Sequence, residues 1–193
     1  MKPITKADIL GRDAYERARP ELRRRIMVVK GKRRVPLGDH ATVHFESRDT
    51  MLYQVHEMLR AEGSWERPGA VEDELEAYNP IVPAGRALSA TLMLEYETPE
   101  ERSVRLAELV GLDRHLSLHV GDTAPAAAVF DRAQVSPTRI SSVQYVRFPL
   151  TAEQTALVRA NGTVLRLVAD HPAYRAQAVL SEETRREVAG DLD

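Results

Sequence analysis

Two periods of hydrophobic repetition divide the chain. Tyr15, Ala18, Leu22, Ile26 and Val29 recur every three or four residues, the spacing of one helical face. Proline is tolerated in a first helical turn and disfavoured deeper, so Pro20 is expected to open the main part of that helix. From Ala41 to Phe45 the period falls to two. Val43 and Phe45 point one way, and Thr42, His44 and Glu46 the other. Met51, Leu52, Val55, Met58 and Leu59 then form a second helical stripe, with Asp49 read as its N-cap. Tyr53, Glu57 and Arg60 fall opposite this stripe, and Gln54 and His56 on its margins. A loop through Gly63 to Pro68 leads to the acidic stretch Val71–Ala77. Pro80 and Pro83 make the segment from Tyr78 to Pro83 a rigid, extended connection.

The second half repeats an order of elements. Leu88 to Tyr96 alternates cleanly, and Thr98-Pro99-Glu100-Glu101 carries an N-cap, a first-turn proline and a capping glutamate for a helix that Gly111 stops. Strands follow at His115–Val120 and near Ala126–Phe130. After Ser141 the order returns: a strand at Val143–Phe148, a capping box at Thr151-Ala152-Glu153-Gln154, a helix closed by Asn161-Gly162, and strands near Thr163–Ala169 and Arg175–Leu180. A last helix begins at Ser181. The pattern predicts an α+β fold with a mainly antiparallel sheet and packed helices, as one domain over 1–193. Within it lie a basic helical segment (1–36), a strand–helix unit with its rigid connection (37–85) and a repeated β-α-β-β region (86–193).

Composition narrows the chemistry. The 193 residues include no cysteine, which removes disulfides, thiolate nucleophiles, Cys-ligated zinc and clusters held by this chain's own thiolates. Residues 1–36 hold twelve Lys/Arg and four Asp/Glu, a net of +8, which leaves −10 for residues 37–193. A basic helix invites a nucleic-acid reading, but no aromatic residues interleave the run for stacking, so docking against the chain's own acidic remainder, or a solvated face, is the plainer expectation. The start has no apolar core of the kind a signal peptide needs. The longest nearly uncharged apolar stretch, Ala124–Phe130, falls far below the roughly 20 residues of a membrane span. A cytoplasmic protein without a membrane anchor is expected.

No phosphate-cradling glycine loop, nucleophile elbow or H-E-x-x-H motif occurs, so no catalytic residue and no cofactor is assigned from motifs. His115 and His119 lie four apart on one strand, about 13 Å, too far to share an ion. His40 and His44 meet the same objection if the strand begins that early. His44 and Glu46, two apart at about 7 Å, are better placed, which leaves His40, His44 and Glu46 as the metal candidates. Asp170-His171-Pro172 reads as a turn, with an acid–base pair as the alternative.

The runs Leu37-Gly38-Asp39-His40-Ala41-Thr42, Tyr53-Gln54-Val55-His56-Glu57-Met58-Leu59, Glu74-Leu75-Glu76-Ala77-Tyr78-Asn79-Pro80, Ala90-Thr91-Leu92-Met93 and Asp170-His171-Pro172-Ala173-Tyr174 together resemble the bacterial domain of unknown function 3501. The resemblance covers nearly the whole chain. Members are commonly encoded beside a rubrerythrin-like ferritin-fold protein and an iron–sulfur oxidoreductase subunit related to heterodisulfide reductase. The resemblance therefore implies a cytoplasmic partner or assembly factor of a redox or peroxide-defence system. The family does not usually carry histidine at the positions of His44 and His56. That moves the expected binding residues towards His40, Glu46, Gln54, Glu57, Tyr78, Asn79, Asp170 and His171. The alternative expectation is a metal- or small-molecule-binding enzyme whose site joins the 40–60 region to Asp170-His171.

Overall fold

Side-chain alternation across the strands decides the architecture. The computed structural model describes every residue except Val135 and Pro137, and only the backbone of Ala133. In chain order the helices and strands are α1 (Arg12–Lys32), β1 (Arg34–Pro36), β2 (Ala41–Phe45), α2 (Arg48–Ala61), α3 (Ala70–Tyr78), β3 (Ala87–Leu94), α4 (Pro99–Glu108), β4 (Leu116–Val120), β5 (Ala126–Ala127), β6 (Val129–Phe130), β7 (Val143–Pro149), α5 (Ala152–Arg159), β8 (Leu165–His171), β9 (Tyr174–Val179) and α6 (Glu182–Ala189). The ladders form two antiparallel sheets, ordered β1-β2-β3-β7-β6 and β5-β4-β8-β9. This is the α+β architecture that the hydrophobic pattern implies.

The two sheets share one core. Val43, Phe45, Leu88, Leu92, Val146 and Phe148 from the first join Leu116, Leu118, Val120, Leu165 and Leu167 from the second. The Phe45 and Phe148 rings lie 6.2 Å apart within it. Both halves of the repeated order, β3-α4-β4-β5/β6 and β7-α5-β8-β9, place their first strand in one sheet and a later strand in the other. The centre of each sheet is therefore a pair of corresponding strands, β3 with β7 and β4 with β8. The single strand expected near Ala126–Phe130 is two: β5 pairs with β4, and β6 pairs with β7 in the other sheet.

Helix caps follow the sequence closely in the second half. Thr98 accepts the Glu101 N–H at 3.1 Å, Ser181 accepts that of Thr184 at 3.0 Å, and Thr151 and Gln154 cap each other. Three expectations in the first half are corrected. Pro20 lies inside α1 rather than opening it. The helix continues because Tyr15, Arg19 and Ile26, before and after the proline, are held against neighbouring elements. Ser47, not Asp49, caps α2, since its side chain accepts the Thr50 N–H while the Thr50 hydroxyl accepts the Ser47 N–H. The acidic stretch is helical as α3, and Asn79–Ile81 form a 3-10 turn before the chain becomes extended at Val82.

The end of α1 is tied to the end of the chain by a buried ion pair. Arg33 donates to both carboxylate oxygens of Asp191, at 2.6 and 3.1 Å, and to the Glu187 carbonyl at 2.9 Å. Their side chains are 7% and 2% exposed. Removing one member of such a pair strands the other charge out of water. Asp191→Ala is therefore expected to lower the free energy of urea unfolding by about 3–5 kcal/mol. The double variant Arg33→Met/Asp191→Leu, which removes both charges, should lose less than Asp191→Ala alone.

Candidate functional site

The outer face of the first sheet is unlike its core face. Strand register sets Arg34 opposite His44, His44 opposite Thr91 and Thr91 opposite Tyr145, so one row of polar side chains crosses four strands. At about 4.8 Å per strand the row spans roughly 14 Å. Met93 and Val143 form the next row beside it. Met27, Lys30 and Gly31 of α1, Met51 and Gln54 of α2 and Tyr78 at the end of α3 stand over this face without closing on it. They leave a partly open cleft of about 530 Å³. That volume lies within the roughly 300–1,000 Å³ typical of small-ligand sites.

Glu46, just past β2, is a buried carboxylate of the cleft. It is 6% exposed, and its two oxygens accept hydrogen bonds from the Thr50 hydroxyl at 2.6 Å and the Thr91 hydroxyl at 2.7 Å. The strand end is fixed by the Glu46 N–H donating to the Ser89 carbonyl and by Arg33 donating to the Glu46 carbonyl at 3.4 Å. Each carboxylate oxygen keeps further acceptor capacity. His44 is half-buried beside it. Burial pushes its imidazole below the ordinary value; Arg34 and Lys30 act in the same direction, and Glu46 and Glu95 oppose them. Burial raises the phenols of Tyr78 and Tyr145, which lie beside each other, with Gln54 reaching Tyr78.

Four residues named from sequence, His44, Glu46, Gln54 and Tyr78, thus line one cleft. The structure does not bring the others there. His40 stacks on Tyr96, with ring centroids 4.8 Å apart, and reaches the Glu95 carbonyl, so it does not converge with His44 and Glu46. Among the described residues no group of three His, Cys, Asp or Glu is placed to hold a metal ion. Glu57 faces α1, accepting from Tyr15 at 2.6 Å and from Arg19 through two bonds at 2.7 and 2.8 Å. The Arg19 guanidinium, helped by the Tyr15 hydroxyl, holds its carboxyl down to about 2. Asn79 clamps the Ile4 backbone, accepting its N–H at 2.7 Å and donating to its carbonyl at 2.9 Å.

Asp170 and His171 end β8 in the second sheet. His171 accepts the Ala173 N–H and meets the Val110 carbonyl, and Asp170 pairs with His115 at 3.1 Å. The expected union of this pair with Glu46 and Gln54 does not form: Asp170 turns to His115 and His171 to Val110, and Tyr174 beyond the turn accepts the His40 N–H at 3.3 Å. Sequence reasoning also missed Lys30, Arg34, Thr91, Met93 and Tyr145. Alternation alone puts Thr91 and Tyr145 on polar faces, but only the strand order aligns them with His44.

Fold and cleft together define an α+β protein of two antiparallel sheets with a helix-flanked cleft on one outer face. The chain belongs to the family described as protein of unknown function (DUF3501), whose sequence profile matches residues 3–192. It is similar to a solved structure from Burkholderia pseudomallei, described as a novel protein of unknown function. The two are 35% identical, with a TM-score of 0.92 over 100% of each chain. No curated protein matches the chain. No described helix is long and apolar enough to cross a membrane.

His56, on the α2 margin, is buried against Tyr15, their rings stacked 4.6 Å apart. Its Nδ1–H donates to the Leu52 carbonyl at 2.8 Å, and its Nε2 accepts the Leu10 N–H at 2.9 Å, which requires the neutral ring. Burial pushes His44 and His56 below the ordinary 6.5. With folded values depressed, the unfolded chain binds more protons as pH falls past 6.5. Their contribution to stability is present above that value and lost as pH falls through the folded values. Urea unfolding is therefore expected to show lower stability at pH 5.5 than at pH 7.5, with a smaller difference in His56→Gln. An unchanged difference in that variant would assign the effect elsewhere.

Proposed function

We propose that this protein binds a small molecule in the cleft above β1, β2, β3 and β7. The observation that carries this reading is the polar row Arg34, His44, Thr91 and Tyr145, joined by Glu46 and Gln54, under helices that leave about 530 Å³ open. A sheet face covered by helices is ordinarily filled by apolar side chains that pack to high density. Here the core face does so and the opposite face holds hydrogen-bonding groups around a space. Met27, Met51 and Met93 contribute adaptable apolar walls.

Nuclear magnetic resonance of methyl-labelled methionine tests this directly, because Met51 and Met93 line the cleft while Met58 does not. In a small-molecule screen, ligands are expected to shift Met51 and Met93 together and to lose this effect in Val143→Trp, which fills the space. Ligands that move only Met1 or Met58, or that ignore the tryptophan, would refute the reading.

A partner role in a redox system is a second reading, and the solvent side of α1 favours it. Val28 there is 62% exposed and Met27, at the rim of the cleft, 48%, close to Arg23 and Arg24 in the same helix. Such an apolar and basic surface suits an acidic protein partner in the cytoplasm. Immobilised protein is expected to capture the rubrerythrin-like protein or the iron–sulfur oxidoreductase subunit at low salt and release it at high salt. Absence of capture at low salt, or capture indifferent to salt, would remove this reading.

A further inference from the structure

Six of the twelve Lys and Arg residues in the first 34 positions are paired with a carboxylate. Lys6 pairs with Glu72, Arg19 with Glu57, Arg24 with Glu21, Arg25 with Asp49, Lys32 with Glu183 and Glu187, and Arg33 with Asp191. Lys2, Arg12, Arg17, Arg23, Lys30 and Arg34 have no carboxylate ion pair among the described residues, and of these Lys30 and Arg34 line the cleft. Lys30 instead lies over the Tyr53 ring, 6.0 Å from its centroid. Strand register sets Arg34 directly opposite His44, and Lys30, Arg34 and His44 all line the cleft. The single carboxylate among the described lining residues is Glu46, whose two oxygens each accept one hydroxyl.

We propose that the cleft takes an amphipathic organic anion, its charged group held by Lys30 and Arg34 and its apolar body lying along Met51, Met93 and Val143. This rests on the cleft being a small-molecule site and names the class of molecule it takes. Two unpaired cations beside a half-buried imidazole attract a carboxylate, sulfonate or phosphate, and the partly enclosed surroundings strengthen that attraction relative to open water. The methionine and valine wall disfavours a bare inorganic ion, which has no apolar surface to bury there. Glu46, bonded to the Thr91 that faces His44, adds a second preference, where a hydroxyl or amine of the ligand meets an acceptor.

Two dyes of nearly the same shape separate the parts of the proposal. The sulfonate 8-anilinonaphthalene-1-sulfonate and its uncharged counterpart N-phenyl-1-naphthylamine differ by the anionic group alone. Both should shift the Met51 and Met93 methyl signals. The sulfonate should bind at least about tenfold tighter, consistent with the strength of charge-assisted contacts, and added salt should erode that advantage. Lys30→Gln/Arg34→Gln should abolish the advantage while leaving the uncharged dye and the urea midpoint unchanged. Bound sulfonate should also raise the His44 titration, since a neighbouring anion favours the imidazolium.

Equal binding of the two dyes, or an advantage that survives the double variant, would overturn the anion assignment and leave the cleft reading intact. Inorganic phosphate binding as tightly as the sulfonate dye would overturn the apolar half. If neither dye moves Met51 or Met93, the cleft reading falls as well.

Discussion

The Arg33 guanidinium donates to both oxygens of Asp191, to the Glu187 carbonyl and, at longer range, to the Glu46 carbonyl. Around it the backbone is stitched in the same place: the Phe45 N–H donates to the Arg33 carbonyl, and the Thr184 hydroxyl donates to the Lys32 carbonyl. One rigid, planar group thereby fixes the exit of α1, the end of β2 and the end of α6 relative to one another. Buried ion pairs repay their desolvation only when geometry is well satisfied. What this one supplies is position. Lys30 and Arg34 flank it on the chain, and Glu46 follows from the strand it holds, so the charged groups of the cleft take their places from it.

The cleft itself follows from the two unlike faces of one sheet. On the inner face, Val43, Leu92, Ala90 and Val146 interlock with the second sheet and exclude water. On the outer face the same strands present His44, Thr91 and Tyr145, which cannot all be buried without partners. Two hydroxyls satisfy Glu46, the neighbouring phenols stand beside each other, and the remaining groups border open space. The cavity is thus the result of placing polar residues on a surface that helices flank but do not fill.

Between α1 and α2 the opposite solution operates. Tyr15, His56 and Glu57 are drawn into a polar network that spans the contact, with Arg19 neutralising the carboxylate and Trp65 donating to the Leu10 carbonyl at 3.1 Å. A helical wheel of α2 alone puts Tyr53 and Glu57 opposite the apolar stripe and His56 at its edge. Tyr53 and His56 are nonetheless buried, because α1 covers that side. Glu57 reads from sequence as a candidate ligand group, yet its partners make it a fastener between helices. The family resemblance selects such residues without separating those that bind from those that hold the fold.

Short-range signals along the chain specify the local elements: the strand at Ala41–Phe45 with His44 and Glu46 on its polar side, the capped helices after Thr98, Thr151 and Ser181, and the α+β class. These are legible because alternation, helical spacing and capping are short-range and act within a few residues. Tertiary structure alone decided that Arg34, His44, Thr91 and Tyr145 form one row, that Asp170 and His171 lie in the other sheet, and that Pro20 sits mid-helix. The physical reason is the same in each case. Strand order and helix covering are set by burial of apolar faces contributed from distant parts of the chain, and that long-range choice overrides what any single segment prefers.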